Sequence, residues 1–251
     1  MPNYNAHIEI AKDTADLLGS PLVNEHLGYF YLGCTAPDIR IITKKGRQEY
    51  HFAPLDFQRL GDGIEGLFHA KPHLSKSSSI PQATRVFVSG YLTHIIADEI
   101  WILQMYRPHF GNPSVFADSA LGDLMDRALQ LEMDNKARTR LSQMSEVRRL
   151  IEDARNTIDI DFISRESLSM WRNWLLMALH KEFNWERLRF MAKRMSTSPT
   201  EAAVKELSLK FLASSSIGLQ ELYSRVPESR VSEYRKEAIR KSAKAVGDYL
   251  S

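Results

Sequence analysis

Apolar positions recur at helical spacing along nearly the whole chain. Ala6–Leu18 places His7, Ala11, Ala15 and Leu18 on one stripe. Leu22–Leu32 is apolar and is punctuated by Gly33 and Pro37. Asp38–Ala53, with Lys44, Lys45, Gly46 and Arg47, reads as an exposed loop. Phe57–Ala70 reads as helical despite its glycines, and Leu74–Ser79 as a linker. Pro81 opens a long helix that is apolar on every side, the pattern of a buried element. Arg107–Asn112, with Pro108 and Gly111, is expected to break it. Further helices are expected at Asp118–Asp134, Met144–Asp153, Ser167–Met195 (two, or one broken) and Arg230–Tyr249. Ser198-Pro199-Thr200-Glu201 has a Ser cap, a Pro at the first position and a Glu three after the cap, so a helix should run from there to about Tyr223.

No segment alternates at period two and none repeats. The expected fold class is all-α, as a single domain over residues 1–251. Its core would span about 1–135, with additional helices at about 140–251. A boundary near 140 carries no compositional mark.

The bulk numbers narrow the function classes. With 251 residues and 43% hydrophobic content, the chain can bury a sizeable core. A net charge of +2 is too mild to argue for nucleic acid as a partner. The single cysteine, Cys34, excludes an internal disulfide framework and a cysteine-based zinc site, and suits a reducing compartment. Met1–His7 lacks a basic stretch followed by an apolar one, so no signal peptide and a cytoplasmic location are expected. Val86–Tyr106 is long enough to raise a membrane span, but its His, Asp, Glu, Gln and Gly, with a mean hydropathy of −0.32 for the chain, favour a buried core helix.

Within that helix, His94 and Asp98 lie four positions apart, on one face. Between Val86 and Tyr106 the only formal charges are Asp98 and Glu99. A carboxylate there requires a metal, a cation or several hydrogen bonds. A metal suits the pair best, since both are good zinc ligands; pairing of Asp98 with Arg40 or Arg85 is the alternative. Three more residues stand out: His7 on the first apolar stripe, Asp38 after Ala36-Pro37, and His51 before Phe52. Singly, His7 reads as a core histidine and Asp38 as a cap. Together they supply nitrogen and oxygen ligands from four segments, a common way to build a metal site among helices.

These features together resemble the zinc-dependent phospholipase C family, the all-helical fold shared with single-strand nucleases. The resemblance rests on His7, Ala36-Pro37-Asp38-Ile39, His51-Phe52 and Gly90-Tyr91-Leu92-Thr93-His94-Ile95-Ile96-Ala97-Asp98, and covers about residues 5–135. It is closest to the divergent, often cytoplasmic bacterial branch. It implies that Asp38, His51, His94 and Asp98 hold one zinc, and that Asp98 bridges to a second taking His7. In secreted members that second metal is completed by a processed N-terminal Trp, which this chain lacks. A third metal would take His109 and Asp126. Gln130 stands where the family has Glu and is a poor ligand, with Glu132 as a possible stand-in, so two zinc ions are expected and the third site is in doubt.

The resemblance further implies hydrolysis of a phosphate ester or diester by metal-activated water, with Asp38 as the base and Arg40 offered to the phosphate. The partner would be a small-molecule or lipid-like phosphoester. Two alternatives stand beside it: a degenerate metal-binding protein that binds a ligand or partner without turnover, and a hydrolase or lyase acting on a non-phosphate substrate. An HD-type phosphohydrolase is set aside because its His-Asp dipeptide is absent. His69 and His73 are separated by Pro72, which spoils their alignment. His26 and His180 read as core or surface histidines, and Trp171, Trp174 and Trp185 as packing.

Overall fold

The computed structural model describes residues 1–141, 144–154, 158–195 and 201–251. Among the described residues every regular element is helical, so the fold is all-α. In chain order these are α1 (Tyr4–Leu18), α2 (Pro21–Glu25), α3 (Leu27–Gly33), a 3-10 turn (Ala36–Ile39), α4 (Arg40–Thr43) and α5 (Gln48–His51). Then come α6 (Asp62–Ala70), α7 (Pro72–Ser75), a 3-10 turn (Ser77–Ser79), α8 (Gln82–Ile100) and a π-helical continuation (Trp101–Phe110). The remainder are α9 (Ser119–Arg140), α10 (Met144–Asp153), α11 (Arg165–His180), α12 (Arg187–Met195), α13 (Glu201–Ala213), α14 (Ser215–Arg225) and α15 (Glu228–Leu250).

α8 is the axis of the fold, packed by α1, α3, α6 and α15. The Gln82–Phe110 stretch is apolar and long enough to cross a membrane, but 94% of its apolar window is buried inside the protein, as in a core helix. Two apolar cores meet along it. Val86, Phe87, Tyr91 and Ile95 belong to one, with Ile8 of α1 and Val246 of α15. Ile96, Ile100 and Trp101 belong to the other, with Ile10 of α1 and Tyr234 of α15. His94 and Asp98 sit at their junction.

Facing glycines bring α3 and α8 into close approach. A side-chain carbon on Gly90 would strike the Phe30 carbonyl, and one on Gly33 would strike that of Phe87. The α3 and α8 backbones are therefore in mutual contact, which only two facing glycines permit. This contact brings the end of α3 against the middle of α8.

Several local expectations change. Asp38–Ala53 is only in part the exposed loop expected: Lys44, Lys45 and Gly46 are exposed and outside any helix, but Ile39, Tyr50 and His51 are buried in short helical turns on either side, the first ending at Lys44 in the left-handed region, φ 60°. Leu22–Leu32 is split at His26, whose N–H is shared between the carbonyls of Leu22 and Val23. The long helix ends within Arg107–Asn112 as expected, at Phe110 before Gly111, but Pro108 itself does not break it, because Trp101, Met105 and Phe110 anchor that stretch in the second core. The segment expected to run to Tyr223 is interrupted at Ser214. The Ser198-Pro199-Thr200 start signal lies outside the described residues.

Candidate metal centre

His7 reaches the centre from the first turn of α1, Asp38 from the 3-10 turn after α3, His51 from the last position of α5, and His94 and Asp98 from α8. The structure brings all five together. Their ligand atoms form two groups, His7/His94/Asp98 and Asp38/His51/His94, each within 4.8 Å. His7, His51, His94 and Asp98 are at most 2% exposed, while Asp38 is half-buried.

Four contacts hold the donors in place. Trp171 Nε1 donates to Thr35 Oγ1 at 3.2 Å, so α11 braces the Asp38 turn from behind. The Tyr91 hydroxyl donates to the Tyr50 carbonyl, which ties α5 to α8. Glu99 accepts from the N–H groups of Gly61 and Gly63, both at 2.6 Å, and so caps α6 onto α8. Phe52, directly after His51, is held at φ 57°, a left-handed conformation that costs a bulky residue about 1 kcal/mol or more.

The ring orientations carry the chemistry. His94 Nδ1 lies 2.8 Å from the Cys34 carbonyl, and His51 Nδ1 lies 3.3 Å from that of Arg47. A carbonyl only accepts, so this network assigns the proton of each neutral ring to Nδ1. Both Nε2 lone pairs then point inward, 3.3 Å from each other. Both also face Asp98 Oδ2, at 3.1 Å for His51 and 3.5 Å for His94. His7 Nε2 and Asp98 Oδ1 face each other across 3.5 Å, and neither has a hydrogen-bond partner. His7 stacks on His94, with centroids 3.8 Å apart. Lone pairs and a carboxylate converging in a buried place call for a cation, and three imidazoles with carboxylates are a zinc-type donor set.

The titration behaviour agrees. Burial pushes His51 down to about 4, against the pull of Asp98. Burial and the neighbouring His94 also lower His7. Burial disfavours charge on His94 too, but Asp98 outweighs it and raises that ring. Asp98 is held well below the usual carboxylate range: burial opposes this, and His94, His51 and His7 overcome it. His7 and His51 are thereby favoured neutral and Asp98 ionised, the forms that ligate metals, whereas Asp98 favours a proton on His94 that a bound metal would displace.

Asp98 does not pair with Arg40 or Arg85. Arg40 is exposed, and Arg85 donates to the Leu250 carbonyl. Its arginine partner is Arg47, with Nη2 3.2 Å from Oδ2. Sequence reasoning misses it because Arg47 reads as part of a polar loop; its spacing of four from His51 is the signal that a helical reading of that loop would expose.

The residues proposed for a third metal have other partners. Asp126 accepts from Trp101 Nε1 at 2.9 Å and from Gln130 Nε2 at 2.6 Å, so both its oxygens are engaged. Glu132 pairs with Lys136 at 3.5 Å. His109 is partly exposed near the end of the π-helical turn and belongs to neither candidate group. The Met1 amine, for which the sequence suggested no role, is buried nearby; burial lowers it to about 5, against Asp126, Asp98 and Asp38. His69 and His73 are both exposed, and Trp171 stacks on Trp174 at 4.8 Å as packing.

A family model described as zinc dependent phospholipase C matches residues 6–176, and the chain belongs to that family. The match extends past the core expected from sequence and through most of α11. No curated protein and no solved structure gives a match.

Proposed function

We propose that this chain is a zinc-dependent hydrolase of phosphate esters or diesters. The observation that carries the reading is the inward convergence of three imidazole nitrogens on Asp98, with each of two rings oriented by a backbone carbonyl. His7, His51, His94 and Asp98 would hold the metal, and Asp38 would complete the set from the solvent side. When bound, zinc would supply a water of lowered pKa and offset charge on the phosphoryl group. Asp38 is the least buried of the five, and as an ionised carboxylate it can accept the proton of the attacking water. The carbonyls of Cys34 and Arg47 keep two rings in the tautomer that offers Nε2.

A second reading is favoured by one specific feature. The four most central ligands are nearly inaccessible, as in a metal site that stabilises rather than turns over. The deciding experiment is hydrolysis of a chromogenic phosphodiester by zinc-loaded protein. Turnover abolished by chelator and by Asp38→Asn supports the hydrolase. Zinc-loaded protein inert towards a broad panel of phosphoesters supports the non-catalytic reading.

A further inference from the structure

We propose that Arg47 binds the two non-bridging phosphoryl oxygens of the substrate through its guanidinium fork. This rests on the phosphoesterase reading above and names a residue that reading does not use.

Arg47 lies one helical turn before His51, so its position is fixed relative to a metal ligand. Its side chain is only 11% exposed and lies against Asp98. The guanidinium has three sets of donors and weak satisfaction for them. Nη2 meets Asp98 Oδ2 at 3.2 Å and the Met1 thioether sulfur at 3.2 Å. Nη1 meets the Ala53 carbonyl at 3.4 Å, near the limit for a hydrogen bond. Nε is buried with no partner.

Asp98 Oδ2 is also the oxygen that His51 and His94 face, the one a metal would take. A metal there leaves Arg47 with a poor sulfur acceptor, a long carbonyl contact and an unpaired Nε. Unlike the other arginines whose Nε is buried without a partner, Arg47 stands beside the candidate ligands, and donors left weakly paired there would be satisfied by an anionic acceptor. One divalent ion would offset the charges of Asp38 and Asp98, and the Arg47 charge would then be left for an anionic ligand. A phosphoryl group offers two oxygens at the spacing of a guanidinium fork and carries the complementary charge. Arg40, the cation expected from sequence, is exposed.

The test is calorimetric binding of inorganic phosphate to zinc-loaded wild type, Arg47→Met and Arg47→Lys, after the zinc content of each is measured. The expected result is wild-type zinc content in Arg47→Met with phosphate affinity at least about tenfold weaker, as loss of a charge-assisted contact gives. A smaller loss with zinc retained overturns the proposal. Loss of zinc in Arg47→Met also overturns it, making Arg47 a structural counter-ion of Asp98. If Arg47→Met does not fold, Arg47→Lys decides, because an ammonium cannot make the two-pronged contact: weakened binding supports the proposal and wild-type affinity overturns it. Zinc-loaded wild type that binds no phosphate overturns this inference alone, whereas wild type that takes up no zinc overturns the reading beneath it.

Discussion

His94 Nδ1 lies 2.8 Å from the carbonyl oxygen of Cys34, a residue 60 positions earlier in the chain. That bond joins the end of α3 to the middle of α8 and turns the other ring nitrogen towards Asp98. The orientation of the centre therefore depends on helix packing as much as on the ligands themselves.

His94→Ala and Asp98→Asn should each abolish tight zinc binding. Each removes a shared donor, and Asp98→Asn also removes the charge on which the rings converge. Elemental mass spectrometry of the purified variants reads this directly. His69→Ala and His73→Ala, at exposed positions, should leave metal content at the wild-type level. Retained zinc in His94→Ala would remove His94 from the centre.

Gly90→Ala should destabilise the protein by about 2 kcal/mol or more, since the added carbon meets backbone rather than a yielding side chain. It should weaken zinc affinity as well, because parting α3 from α8 withdraws the Cys34 carbonyl from His94. Denaturant melts and a chelator competition measure the two effects. An unchanged melt would show that the helices separate without cost.

Asp134 gives a pH-dependent prediction away from the centre. It is fully buried and accepts from the Asn5 backbone N–H, Asn5 Nδ2 and Arg187 Nη1. Burial raises its pKa above 3.8, only partly offset by Arg187 and Asn5. The folded state thus holds this proton more tightly than the unfolded state. Its contribution to stability is greatest below the unfolded value and declines as pH rises through the folded one. The stability advantage of wild type over Asp134→Asn should therefore shrink as pH is raised from about 4 towards neutrality. Paired denaturant melts across that range check the sign; an advantage that grows with pH contradicts it.

Cys34 should be inert in the folded protein. It is 0% exposed, its Sγ contacts the Tyr31 carbonyl at 3.2 Å, and burial raises its thiol well above the ordinary value. A chromogenic disulfide reagent should label it only at the rate of unfolding. Fast labelling under native conditions would show that the α3 end opens.

Much of the centre is legible in the sequence. His94 and Asp98 declared themselves as a polar pair in an apolar helix, and His7 by its place on an apolar stripe. Asp38 and His51 carry little signal alone, and stand out only through the motifs of the family. Arg47 was not legible, because its partner lies 51 residues away and its own segment looked like solvent-exposed loop. The engagement of Asp126 by Trp101 and Gln130 was hidden for the same reason: it depends on how the π-helical turn and α9 face each other.

The sequence by itself determined the helical class and the burial of α8, and named five candidate donors, Asp38 and His51 among them only with the family resemblance. Helical period, apolar runs and ligand chemistry are properties of residue type and local spacing. Tertiary structure decided which donors share a carboxylate, which ring nitrogen faces inward, and which arginine stands beside Asp98. It also decided that parts of Asp38–Ala53 coil into short turns and that Pro108 is carried within a continuing helix. Those outcomes follow from burial against distant partners, where packing outweighs local preference.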